Sequence, residues 1–186
     1  MIPVENYEAV CRAVPYRVKG VFYSELYLFL QACSDNDVNL VIESGVKHGM
    51  STRLLASAWP GEIISIDRDD GIIPEVVEGV QFMEGDSREL IPMILRAYKG
   101  RRAAVLIDGP KGETALQLKA AIWQSDIVRV VAIHDLPLEA VPSCHRHSHE
   151  PSFRTSVGRR LDAFIAHDYA RKYPNGTGLA IWEKKQ

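Results

Sequence analysis

A chain of 186 residues, 46% hydrophobic and 25% charged, is long enough to bury one real core, and residues 1–186 read as a single domain without room for a second complete one. The net charge of −2 supplies no basic field, so nucleic acid is not an expected partner. Cys11, Cys33 and Cys144 fit neither a disulfide framework nor a C-x-x-C zinc site, no leader is expected in MIPVENYEAV, and no run approaches the ~18 apolar residues of a membrane span; the reading is a cytoplasmic protein without membrane contact.

Residues 5–14 and 22–33 read as two short helices, the second with Phe22, Leu26, Phe29 and Leu30 on one face, and residues 1–35 are expected to cap a sheet or edge a cleft. The turn formers of SDNDVN lead into Val38, Leu40, Val41 and Ile42, an apolar and β-branched run typical of a strand covered on both faces of a parallel sheet. Glu43 ends that run, Gly45 and Gly49 punctuate the turn after it, and Met50 to Trp59 read as the helix that leaves it. The glycines open backbone angles closed to other residues, and the first free amides of the helix face outward, an arrangement suited to a ligand. An acid at the end of a buried strand costs free energy unless paired, so the Glu43 carboxylate is expected over the same crevice.

A second strand, GEIISID, runs from about Gly61 to Asp67, and Asp67 falls 22 positions after Gly45. That is near the ~20-residue offset at which an acid takes both ribose hydroxyls, and it points to an adenosine site. The segment RDDGIIPEVVEG reads as a polar turn and a short interrupted connection, followed by a third strand at Val80–Met83 and a helix at Leu90–Tyr98. Asp86 stands at that strand-to-helix corner with Glu89 three residues on, and a capping box alone is sufficient reason for an acid there.

A fourth strand, AAVLID, ends at Asp108 and runs through GPKG into a helix from Glu113; a fifth, VRVVAIHD, ends at His134 and Asp135. Acids at successive strand ends fall in the crevice where open α/β sheets bind ligands. Residues 136–154 hold three prolines and three histidines without a period, and are expected to form a lid or substrate loop. His145, His147 and His149 lack the spacing of zinc pairs and read as an exposed polar loop. Arg154, Arg159 and Arg160 read either as contacts for an anionic acceptor such as a phosphate or CoA ester, or as a solvated helix face. Residues 155–166 read as a helix, and DYARKYPNGTGLAIWEK as two strands joined by a PNGTG turn.

The glycine spacing excludes the G-x-G-x-x-G of nicotinamide and flavin folds, and no G-x-x-x-x-G-K-[ST] is present for a nucleoside triphosphate. The pattern E-x-G-x-x-x-G-x-S at Glu43, Gly45, Gly49 and Ser51 instead resembles the first motif of class I S-adenosylmethionine-dependent methyltransferases. It is most similar to the O-methyltransferases of the catechol and caffeoyl-CoA type. Ile107-Asp108-Gly109 and the acidic end of strand five also resemble the macrocin-type sugar O-methyltransferases. The resemblance spans roughly residues 20–184.

That resemblance implies an α/β, Rossmann-like methyltransferase fold: a mostly parallel, doubly wound sheet of about seven strands with a C-terminal antiparallel hairpin and helices on both faces. It implies S-adenosylmethionine as cofactor, bound by Glu43, Gly45, Val46, Gly49, Ser51, Asp67, Arg68, Asp86, Ser87 and Asp108, with Asp86 on the adenine amino group and Ser87 assisting. The implied reaction is O-methylation of a small-molecule hydroxyl. In catechol-type enzymes a divalent cation held by acids after strands four and five binds the acceptor hydroxyl, and a lysine three residues past the first acid is the base. DGPK puts Asp108 and Lys111 in that relation as the catalytic pair. Where the family has Asp-Asn after strand five, this chain has His134 and Asp135. As a hypothesis, Asp108, His134 and Asp135 bind Mg²⁺ or another divalent cation, His134 tilting the choice toward a transition metal and the ion lowering the pKa of Lys111. A homodimer is one assembly this reading allows. Two rivals stand beside it: a methyltransferase-like binding protein without catalysis, and a different enzyme grouped with cephalosporin hydroxylase, which shares the Ile-Asp-Gly and His-Asp strand ends.

Overall fold

In Leu40–Ser44 (β1) and Ala103–Ile107 (β4) every residue is buried, and in Val128–His134 (β5) all but one are, the mark of strands with helices on both faces. A computed structural model describes residues 2–17, 19–68, 77–141, 143–166, 168–173 and 176–184 of the chain. With Glu62–Asp67 (β2), Val80–Glu84 (β3), Arg146–His147 (β6) and Leu179–Glu183 (β7), these strands form one seven-stranded sheet in the order β3-β2-β1-β4-β5-β7-β6. β1 to β5 are parallel, and β7 inserts antiparallel between β5 and β6. The strand order reverses direction between β1 and β4, the switch point at which open sheets leave a crevice beyond their carboxyl ends.

Alternation along the strands sorts the core into two layers. Val41, Ile63, Leu106, Val130 and Ala132 face the helices Val4–Ala13 (α1), Tyr23–Asp35 (α2) and Met50–Ala58 (α3). Leu40, Ile42, Ile64, Val105 and Val131 face Ser87–Ala97 (α4) and Gly112–Ile122 (α5). This is the doubly wound sheet expected. No described helix is long and apolar enough to cross a membrane.

The C-terminal half departs from the expected elements in two places. Asp168–Lys172 is a short helix, not a strand, and β7 is flanked instead by β5 and, on its outer side, by the two-residue β6 from far upstream. The sheet does end antiparallel, but through a long-range pairing that no local pattern reports. Residues 155–166 are helical only to Asp162, with a π-helical stretch at Arg154–Gly158 between Pro151–Phe153 and Arg159–Asp162. Most of the connection after Asp67 (69–76) and the start of the PNGTG turn (174–175) lie outside the described residues.

Candidate active site

The turn after β1 is built against its neighbours. Gly45 has φ +92°, and a Cβ there would come within 2.5 Å of the Gly109 nitrogen, so the loops after β1 and β4 meet backbone to backbone. Ser44 O accepts the amides of Asp108 (2.8 Å) and Gly109 (2.7 Å), while the Gly45 amide donates to Ile66 O (2.8 Å). Gly49, at φ +66°, turns the chain into α3. Asp67 braces the same turn: Oδ2 accepts the amides of Val46 (2.7 Å) and Lys47 (2.9 Å), and Oδ1 that of Arg68 (2.7 Å). Three strand tips are thereby stitched into one rim.

At the next tip Asp86 caps α4 through the Arg88 amide (2.9 Å) and forms ion pairs with Arg68 and Arg88. Hydrogen bonds from the Arg88 side chain, opposed by partial burial and joined by the Arg88 amide and Arg68, hold its carboxyl well below the usual carboxylate range. Ser87, buried behind it, receives a 2.6 Å hydrogen bond from Ser44 Oγ.

Glu43 is not where its sequence position suggested. It is fully buried, with Thr52 Oγ1 (2.6 Å) and Ser65 Oγ (2.7 Å) donating to Oε2, so its carboxyl lies between the sheet and α3 instead of over the crevice. Burial pushes its pKa up, against the hydroxyls of Ser51, Thr52 and Ser65. Its role in this structure is to tie β1 to β2 and α3.

Over the rim opens a cavity of about 680 Å³, within the range of small-molecule sites. Of the residues expected around a cofactor or acceptor, Gly45, Asp67, Arg68, Asp86, Ser87, Asp108, Lys111 and Asp135 line it; Val46 and Ser51 line a smaller adjoining recess with Lys19 and Asp108. Gly49 shapes the turn without lining either. Lys19, Lys47, Arg88, Thr114 and Tyr169 also line the main cavity and were not singled out from sequence.

Below the cavity runs a charged chain that includes a residue missed by sequence reasoning, Glu25 of α2. His134, 2% exposed, pairs through Nδ1 with Asp108 Oδ1 (2.7 Å) and through Nε2 with Glu25 Oε2 (3.1 Å) and Thr177 Oγ1 (2.7 Å). Glu25 is itself fully buried and accepts the amides of Phe22 and Gly178, each at 2.9 Å. Burial disfavours charge on His134, but Asp108 and Glu25 outweigh it and carry the imidazole pKa up to about 10. For Asp108 and Glu25 burial likewise raises the pKa, and the facing imidazolium, with Lys111 at Asp108, brings it below the ordinary value.

Lys111 folds back from the start of α5 to bridge Asp108 and Asp135, 2.6 Å from Asp135 Oδ2. Burial works against its charge, yet the two carboxylates outweigh it and raise its pKa, favouring the ammonium. Asp135 holds its place at φ +61°, a backbone region costly for a non-glycine residue and common at functional sites.

The donor atoms of Asp108, His134 and Asp135 do come together, all within 4.8 Å of one another. They do not fit a divalent ion in this arrangement: both His134 nitrogens are committed to carboxylates, and an ammonium already bridges the two aspartates.

The other sequence candidates lie elsewhere. No described residue of 136–154 lines the cavity; Arg146 pairs with Glu183 and Asp35, holding that stretch along the sheet edge. His147 is buried, not exposed, with Nε2 bonded to Leu136 O (2.8 Å), and His145 Nδ1 accepts the Glu183 amide (3.0 Å). Arg154 is buried against Asp162 (2.8 Å) and Ser24 (3.0 Å), and Arg160 pairs with Glu8, so neither faces an acceptor in the cavity.

No family model matches the sequence, and no curated protein matches it significantly. Solved structures do match. MycE from the mycinamycin biosynthetic pathway, in complex with Mg, S-adenosylhomocysteine and mycinamycin VI, aligns with TM-score 0.57 and 16% identity over 97% of this chain. The chain has the fold of known methyltransferases. It spans 55% of MycE. The O-methyltransferase TomG from Streptomyces achromogenes, solved with S-adenosylmethionine, aligns at TM-score 0.54 and 14% identity over 96% of this chain and 87% of its own. The Podospora anserina methyltransferase PaMTH1, bound to S-adenosylhomocysteine, aligns at 0.52 and 15% over 98% and 87%.

Proposed function

We propose that the protein is an S-adenosylmethionine-dependent methyltransferase acting on a hydroxyl group of a small molecule. The observation that carries this reading is the rim itself: a glycine turn braced by Asp67, opening on a cavity into which Asp86 and Asp108 also project. The two neighbours matched over 87% of their own length were solved with S-adenosylhomocysteine or S-adenosylmethionine, and TomG is an O-methyltransferase. The residues present fit such a cofactor. Asp67, Asp86, Asp108 and Asp135 present their carboxylates to the cavity as hydrogen-bond acceptors for ribose hydroxyl and amino groups.

S-adenosylmethionine supplies an electrophilic methyl group on a sulfonium, and its transfer is an in-line displacement that needs no covalent enzyme nucleophile. The protein's tasks are therefore positional. Asp67 offers a fixed carboxylate to ribose hydroxyls, Asp86 and Ser87 mark the adenine end, and Asp108 stands at the end where a cationic group is welcome. Lys111 and Asp135, on the cavity wall beyond Asp108, face the acceptor: the ammonium donates a hydrogen bond to the acceptor oxygen, and the Asp135 carboxylate takes the proton that the hydroxyl loses as its oxygen is methylated. No step is routed through a metal.

Incubation with S-adenosylmethionine and a panel of phenols and sugars tests the reading. Acceptor-dependent formation of S-adenosylhomocysteine is expected. A protein that binds the cofactor yet turns over no acceptor would instead be the binding protein considered above.

A further inference from the structure

We propose that the Lys111 ammonium is the resident cation of this site, seated between Asp108 and Asp135 where a divalent ion would otherwise be held, so that the acceptor end operates without one. The placement of the acceptor end rests on the methyltransferase reading; the occupancy of the seat rests on geometry alone.

Three observations converge. The oxygen and nitrogen donors of Asp108, His134 and Asp135 are grouped as a cation site would group them. Lys111 reaches into that group and hydrogen-bonds both aspartates. His134 has no nitrogen left for an ion, because Nδ1 is spent on Asp108 and Nε2 on buried Glu25. An ammonium has three donors; two are spent on Asp108 and Asp135, and the third is left for the oxygen of an acceptor.

Lys111 is half exposed, with 46% of its side chain accessible, so its replacement leaves the core intact. Calorimetric titration of MnCl₂ and MgCl₂ into the wild-type protein, Lys111→Met and Lys111→Arg tests the proposal, with Lys111→Gln as a second neutral variant. Wild type and Lys111→Arg are expected to give no binding heat at millimolar metal, while the neutral variants, with two carboxylates uncompensated, bind Mn²⁺ at least about tenfold more tightly. Ion binding by wild type as tight as by the neutral variants would overturn the proposal, and so would failure of both neutral variants to bind. Titration of S-adenosylhomocysteine into the same samples reports separately on the cofactor reading: its failure leaves the ion result standing, and the reverse holds equally.

Discussion

Asp67 Oδ2 accepts the Val46 amide at 2.7 Å and the Lys47 amide at 2.9 Å, so the acid that closes β2 also shapes the turn that closes β1. One carboxylate thus fixes the loop and faces the cavity. Asp67→Ala should cost roughly 1.5–3 kcal/mol of stability, the range for hydrogen bonds to a charged group. It should also weaken S-adenosylhomocysteine binding by at least about tenfold, or ~1.4 kcal/mol. Urea denaturation reads the first effect and calorimetry the second; unchanged affinity would remove Asp67 from the cofactor site.

Gly45→Ala carries a different penalty. Its backbone is left-handed, at φ +92°, and the new methyl would sit 2.5 Å from the Gly109 nitrogen with no flexible side chain to yield. A loss of roughly 2–4 kcal/mol is expected from strain and backbone displacement together. At Gly109 the nearest atom is Ser44 Oγ at 3.0 Å, so Gly109→Ala should cost less. Denaturation midpoints of the two variants in the opposite order would contradict the backbone contact described here.

The buried Glu25–His134–Asp108 chain predicts a pH dependence of stability. His134 has its pKa raised from 6.5 to about 10, so its contribution is complete below pH 6.5 and is lost as pH rises toward 10. Glu25 and Asp108 are shifted down, so theirs is present above the ordinary 4.5 and 3.8 and is lost as pH falls through the lower folded values. Glu25→Gln should cost about 3–5 kcal/mol by leaving a buried charge half paired, and should flatten the alkaline decline. Thermal unfolding between pH 6.5 and 10 checks this; parallel curves for wild type and variant would refute it.

Asp86 invites a substitution that separates its two roles. Serine caps a helix about as well as aspartate, and the exposed pairs to Arg68 and Arg88 are worth little, so Asp86→Ser should hold stability within about 1 kcal/mol. The shorter side chain cannot reach as far into the cavity, and S-adenosylhomocysteine affinity should fall. Retained affinity in calorimetry would reduce Asp86 to a cap.

Much of this architecture was legible because buried parallel strands are written as unbroken β-branched runs, and each such run here ends in an acid or a histidine. Asp67, Asp86, Asp108 and Asp135 met at one cavity for that reason. Glu43 obeyed the same pattern but belongs to the other face of its strand, where Thr52 and Ser65 receive it. Glu25 was overlooked although FYSELYLFL carries the signal, a lone acid in an apolar run that must find a partner inside. Its partner stands 109 residues away, beyond the reach of local periodicity. A shorter but still non-local separation, from Arg146 to Ile181 and from His147 to Ala180, hid the pairing of Arg146–His147 with β7, and DYARKY, read as the start of a strand pair, forms a short helix.

The most direct test of the account is calorimetric titration of S-adenosylhomocysteine into the wild-type protein, followed by crystallography of the complex. The account predicts one-to-one binding, with density in the cavity between Asp67 and Asp108. No binding heat at millimolar ligand, or density bound away from the glycine turn, would contradict it.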